Sequence, residues 1–317
     1  MKTKLKIRKK IKLLLCIFLV IIVSYTTITL FKNYQNNKYE FYIPSFKESY
    51  NEQSRKLEEL HYSSKEIEII ISKVSKDNIN YLIENKINKS PVIKIVNEKY
   101  YIDAYLQDYI TYYNDNQDKE MTDIIAIINT HSLNTNTEKT DISKNQFTIL
   151  NKYYNIDSSY PNEEELVTID SKYHLNKVET KIKKIAYDAF IKMYDDAPVD
   201  SKFKITSAYR NFSTQESLYN YAISQNQSTT AKQGHSEHQT GYSIDIDKSN
   251  TWLKENAHKY GFILRYPENK EYLTGYSYNE THYRYCGIEC ATYIYENSIT
   301  YEEYYEYFIK YNKLKNW

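Results

Sequence analysis

Apolar positions recur at helical spacing in two stretches of the chain and alternate at strand spacing in a third. Between Glu52 and Lys76, Leu57, Leu60, Ile67, Ile70, Ile71 and Val74 fall on one helical face, and Asp77 to Ile83 reads as a second, short helix. Lys177 to Tyr194 repeats the pattern with Ile182, Ile185, Ala186, Ala189, Phe190 and Met193 on one side. Beyond it the period shortens. Phe203 to Ser207 alternates as a strand, and so does Tyr242 to Asp247, with Ile244 and Ile246 on one face and Ser243, Asp245 and Asp247 on the other. His282 to Tyr285 reads as a further short strand.

Punctuation supports these elements. Ser213 with Glu216, and Thr300 with Glu303, have the spacing of capping boxes, in which side chain and backbone satisfy each other's free groups. The first predicts a helix from Thr214 to about Ser224, the second a Tyr-rich terminal helix. Trp252 to Tyr260 is helical and is closed by Gly261, since glycine accepts the left-handed cap. Short strands mixed irregularly with helices predict an α+β domain.

The beginning of the chain has a different character. Lys2, Lys4, Lys6, Arg8, Lys9, Lys10 and Lys12 precede an uncharged apolar run from Leu13 to Phe31. That run has about the length of a membrane-crossing helix. The basic flank would stay in the cytoplasm and put the rest of the chain outside the cell. A cleaved signal peptide is the alternative, but the run's end, Tyr25 to Leu30, has no Ala-x-Ala-like site. Asn33 to about Glu40 is a polar linker, and Asn134 to Lys144 a loop-like boundary. The expected organisation is a basic stub and single-pass anchor (1–32), a membrane-proximal module or spacer (33–145) and a larger domain (146–317).

Composition narrows the function. The 42 Lys and Arg nearly balance 41 Asp and Glu, so nothing electrostatic points to nucleic acid. The 37 tyrosines and scarce glycine reflect a biased composition, because Tyr replaces Phe or Leu in cores and at surfaces alike. Three cysteines, Cys16, Cys286 and Cys290, build no disulfide framework; the last two either bridge or stay as buried small apolar groups. Oligomeric state leaves no trace in the sequence.

The candidate chemistry lies in the second half. His238 precedes the Asp245 strand across a turn with Gly241, and His282 enters another strand. Two imidazoles and one carboxylate leave one position of a tetrahedral Zn2+ free, as catalytic zinc sites require. Each residue alone also has an ordinary reading, as a satisfied core histidine or a solvated acid. The surrounding words alter that balance. Ser207-Ala208-Tyr209-Arg210, Gly234 to Asp245, Trp252 to Phe262, and Gly275 to Tyr285 resemble, in order, the VanY-type D-alanyl-D-alanine carboxypeptidases. The family's Ser-x-His-x-x-Gly-x-Ala-x-Asp word is matched from Ser236 to Asp245, with Ser243 in place of Ala. The resemblance runs from roughly Ile149 to Phe308.

It implies a hedgehog/DD-peptidase-like fold, a small antiparallel sheet flanked by helices. It implies zinc held by His238, Asp245 and His282, and substrate contacts from Arg210, with Gln215 and Ser236 adding hydrogen bonds. The partners it implies are peptidoglycan stem peptides, trimmed at a terminal D-alanine in D,D or L,D fashion; an endopeptidase is a neighbouring possibility. One departure stands out. The family's general base, a Glu three residues before the last ligand, is replaced by Asn279. Either Glu280, two before His282 and so on its face of an extended strand, substitutes as the base, or the protein keeps zinc and wall binding without efficient hydrolysis.

Overall fold

The computed structural model describes residues 51–160, 163–176, 178–227 and 230–310. The chain divides into two compact units, one ending at Met121 and the other beginning at Thr122. Both the apolar run from Leu13 to Phe31 and the linker from Asn33 to Glu40 lie outside the described residues. Among the described residues no helix is long and apolar enough to cross a membrane. That finding corrects the expected fold class: the α+β domain with small sheets is present, whereas a membrane-spanning helix is not part of the described architecture.

The described part of the first unit is helical, with Asn51–Glu59 (α1), Ser64–Lys73 (α2), Lys76–Glu84 (α3), Lys89–Asn97 (α4) and Leu106–Asp115 (α5). The stretch from Glu52 to Lys76 is therefore not continuous. His61 takes a left-handed backbone (φ 66°), and Ser63 caps a new helix in a capping box with Glu66. Local hydrogen bonding at the cap outweighs the apolar period that runs across it. Leu57, Ile67, Ile70, Ile79, Leu82, Val92 and Ile95 are wholly buried, which is how such short helices become stable.

The second unit opens within Met121–Asn129 (α6). Glu138–Lys139 (β1) pairs in parallel with Tyr154–Asn155 (β2), and Leu166–Thr168 (β3) antiparallel with Lys181–Lys183 (β4). The predicted helix from Lys177 thus begins later, as Lys184–Asp196 (α7), because pairing with β3 takes Lys181 to Lys183. Next come Ile205–Ser207 (β5), Phe212–Ser224 (α8), Ser243–Ile246 (β6), Thr251–Asn256 (α9) and Phe262–Tyr266 (β7). Glu271–Thr274 (α10), Asn279–Tyr285 (β8), Ile288–Asn297 (α11) and Tyr301–Tyr304 (α12) follow, the last running on into a π-helical stretch, Tyr305–Lys310. The cap of α8 is Asn211, whose side chain accepts from Thr214 N, and not Ser213 as the spacing suggested. The capping box of Thr300 with Glu303 forms.

β5, β6, β8 and β7 make a four-stranded antiparallel sheet in that order. One buried cluster joins Phe190 and Met193 of α7 with Phe203, Ile205, Ile244, Ile246, Leu253, Phe262 and Tyr283. Burying a side chain of this size contributes about 1.5–3 kcal/mol. Gly261 closes the turn before β7 with φ +85°, and a Cβ there would come within 2.7 Å of the Tyr285 ring. Cys286 and Cys290 are free and buried.

Candidate metal centre

The sheet's pairing register assembles the cluster. Asp245 lies directly opposite His282 across β6 and β8, so a carboxylate and an imidazole project side by side from one face. His238 arrives from the turn Glu237–Thr240, which ends on Gly241 in the left-handed conformation (φ +75°). A Cβ on Gly241 would meet Leu166 at 2.9 Å and Lys183 at 3.1 Å, so only glycine brings the chain round this closely into β6. Arg210 N donates to the His238 carbonyl at 3.2 Å, which ties the segment after β5 to the same turn.

His238 Nε2 stands 3.0 Å from one carboxylate oxygen of Asp245, and His282 Nδ1 stands 2.8 Å from the other. The two imidazole rings meet edge to face with centroids 4.8 Å apart. One donor atom from each residue lies within 4.8 Å of the others, so the three could close on one metal ion with a small adjustment of their side chains. The hydrogen-bond pattern calls for a cation. His238 Nδ1 meets the Ala208 carbonyl at 2.7 Å and must carry the proton there, so Nε2 turns its lone pair on Asp245. Two acceptors 3.0 Å apart repel unless a cation or a proton lies between them.

Electrostatics favours the metal-ready form of these groups. Burial, helped by the Arg210 charge, pushes the His238 imidazole down to about 4, so it is neutral at pH 7. Burial acts to raise Asp245, but positive charge and hydrogen bonds from the His238 and His282 imidazoles, when these are protonated, outweigh it and hold the carboxyl well below the usual carboxylate range; a cation held among the three groups acts in the same direction. Neutral imidazole and ionised carboxylate are the protonation states that metal ligands need. Two nitrogens and one oxygen as donors fit zinc at an open site.

The cluster forms one wall of a cavity of about 280 Å3, which Arg210, Gln215, Ser236, Tyr266, Tyr276 and Asn279 also line. Gln215 is buried; its Nε2 donates to the Ala231 carbonyl at 2.6 Å, while its Oε1 has no partner. Arg210 is mostly buried, which lowers its pKa from the usual arginine value with the nearby Asp245 carboxylate opposing only in part, and its Nε is likewise unpartnered. Ser236 is 3 % exposed and precedes the His238 turn. The structure thus brings together Arg210, Gln215, Ser236, His238, Asp245 and His282.

Glu280 does not join them. Its side chain is 54 % exposed and pairs with Lys254 at 3.5 Å, away from the cavity. Simple alternation fails because the ladder is irregular here: Leu264 faces Tyr283, but Tyr266 faces Asn279, so two steps along β7 match four along β8. Such a bulge re-aims the side chains beside it. Asn279 lines the cavity instead, with its amide oxygen accepting from Thr281 N at 3.1 Å and Oγ1 at 2.9 Å. Of the other histidines in these segments, His235 bonds the Asn151 carbonyl through Nδ1 at 2.8 Å, and His258 stacks on Tyr295.

Sequence reading missed Glu237, which is wholly buried beside His238. Its carboxylate takes Arg265 Nε at 3.0 Å and also pairs with Arg284. Arg265 in turn clasps Glu302 with two nitrogens, at 3.0 and 2.6 Å. A signal existed: Arg265 and Arg284 are charges set inside strongly apolar or aromatic strands, where a buried partner is required.

The sequence around this cluster matches known proteins. Residues 179–288 match the VanY family model, described as D-alanyl-D-alanine carboxypeptidase. YodJ of Bacillus subtilis, a provisionally named carboxypeptidase, is 32% identical over 185 residues, covering 51% of this chain and 68% of YodJ. A D-alanyl-D-alanine carboxypeptidase of Enterococcus faecium is 35% identical over 179 residues, 48% of this chain and 56% of that one. Among solved structures, the LdcB LD-carboxypeptidase is 32% identical with a TM-score of 0.49, covering 54% of this chain and 90% of its own. The chain belongs to the VanY D-alanyl-D-alanine carboxypeptidase family.

Proposed function

We propose that this protein is a zinc carboxypeptidase that removes a terminal D-alanine from peptidoglycan stem peptides. The observation that carries the reading is the facing pair of acceptors on His238 and Asp245, joined by His282 at an open cavity. Zinc, when bound, supplies Lewis-acid polarisation and an activated water. The remaining work belongs to the chain. Arg210, a mostly buried cation with a free Nε, suits a peptide carboxylate or the charge that develops on the attacked carbonyl. The bare Oε1 of Gln215 accepts a substrate N–H, and Ser236 offers a hydroxyl on the same wall.

Proton uptake is the weak point of this machinery. Glu280 faces Lys254, and the amide of Asn279 cannot take up a proton. Glu237, the other acid on the cavity wall, is engaged by two arginines. Loss of a general base costs about 10²–10⁴-fold in rate. Asn279 therefore favours a second reading, a zinc-bearing wall-binding protein that hydrolyses slowly or not at all. Incubating zinc-loaded full-length protein with stem penta- and tetrapeptides and reading products by mass separates the two. Release of D-alanine supports the carboxypeptidase; confirmed zinc with no release from either peptide overturns it in favour of the second reading.

A further inference from the structure

Asn279 opens β8 and lines the metal cavity from an exposed position. Its amide has one defined orientation. The backbone N–H of Thr281 only donates, and it meets the Asn279 side chain at 3.1 Å, so the atom it meets is the carbonyl oxygen. The Thr281 hydroxyl donates to the same oxygen at 2.9 Å. Both lone pairs of Oδ1 are thereby taken. Nδ2 donates to no protein group among the described residues. A pair of N–H groups is thus what Asn279 offers to the cavity.

The rest of the wall suits a negative ligand. The only acids among the lining residues are Glu237, held by Arg265 and Arg284, and Asp245, which faces His238 and His282. Glu280, next to Asn279, is drawn off by Lys254. Arg210 brings a mostly buried positive charge with an unpartnered Nε, and the bare Oε1 of Gln215 is left for a ligand N–H. A carboxylate arriving beside Asn279 therefore meets N–H donors and a cation, and no free acid. Hydrogen bonds to an ionised acceptor are about twice as strong as those between neutral groups.

Resting on the carboxypeptidase reading for the identity of the ligand, we infer that Asn279 is a binding residue for trimmed peptide ends. Its free N–H groups hold the carboxylate created when the last residue is removed. That removal turns the neutral amide of the cleaved bond into a carboxylate: water gives its oxygen to the acyl carbon and both protons to the departing amine. An acid at position 279 would repel the new charge and hasten its exit, whereas the amide retains it. The cavity therefore keeps hold of the shortened peptide.

The test is calorimetry on zinc-loaded full-length protein with acid and amide probes of one shape. The pairs are N-acetyl-D-alanine with its amide and N-acetyl-L-lysine with its amide, the acyl ends that D,D and L,D cleavage leave. At least one acid is expected to bind about thirtyfold more tightly than its amide. Asn279→Ala should weaken that acid about tenfold and its amide by less than about twofold. Asn279→Asp keeps an oxygen for Thr281 but puts a second oxygen where the N–H pair was, and should weaken the acid further still. Failure of both acids to bind the parent overturns the inference. So does unchanged acid affinity in Asn279→Ala or Asn279→Asp, with thermal melts matching the parent. Turnover enters neither measurement. A protein that holds the acid through Asn279 but releases no D-alanine from stem peptides loses the carboxypeptidase reading and keeps Asn279 as a binder of ends trimmed by another enzyme.

Discussion

Glu237 and His238 are neighbours in the chain, yet they belong to two clusters of buried charge with opposite characters. Glu237 sits in a closed quartet with Arg265, Arg284 and Glu302, two acids against two bases. Arg284 spends its remaining donors on the carbonyls of Tyr285, Gln146 and Thr148, at 2.9, 3.0 and 2.6 Å, and both guanidinium groups lie over the Tyr301 ring, 5.3 and 5.2 Å from its centroid. His238 sits in an open triad, where a lone pair faces a carboxylate and His282 Nε2 is buried without a partner. The closed cluster has nothing left to bind and holds the segment from Gln146 to Leu150 against β7, β8 and α12. In the open cluster, unmet demand marks the place where a ligand completes the structure.

The sharpest way to break this contrast is His282→Ala. Bound zinc, read by elemental analysis, should fall from one per chain to none while far-ultraviolet circular dichroism stays unchanged; undiminished zinc would remove His282 from the ligand set. Glu237→Gln should act on stability instead, because it leaves buried guanidinium charge uncompensated, at a cost of about 3–5 kcal/mol in urea unfolding. A loss no larger than that of Asp245→Asn in the metal-free protein would erase the distinction between the clusters.

Smaller effects sharpen the catalytic side. Asn279→Glu should raise D-alanine release by about 10²-fold by restoring a proton acceptor at the cavity, whereas Glu280→Gln should change it by less than about twofold. A large fall with Glu280→Gln would mean that the β8 irregularity does not point this side chain away in solution. Thr300→Ala, which removes the cap of α12 beside the closed quartet, should cost about 1 kcal/mol in thermal unfolding and leave zinc content unchanged.

Much of the site could be read from local words. Each of the turn at Gly241, the alternation around Asp245 and the strand entered by His282 needs only a few residues to specify it. Elements failed to match where a distant partner intervened. Lys181 to Lys183 carry helical periodicity but pair with β3, and the apolar face shared by Leu57 and Ile67 continues across a break that His61 and Ser63 impose. Glu280 was misplaced for a related reason, since its direction depends on how β7 matches β8, and two steps against four cannot be counted from one strand.

By itself, then, the sequence determined the family, the three residues of the candidate metal cluster and the presence of Asn279 beside them, because these are properties of residue type at short spacing. Tertiary structure alone decided that Glu237 is locked between two arginines, and that Glu280 turns to Lys254 while Asn279 faces the metal cavity. Each of those outcomes depends on strand register and on burial shared among segments far apart in the chain, and neither is encoded in any single stretch of it.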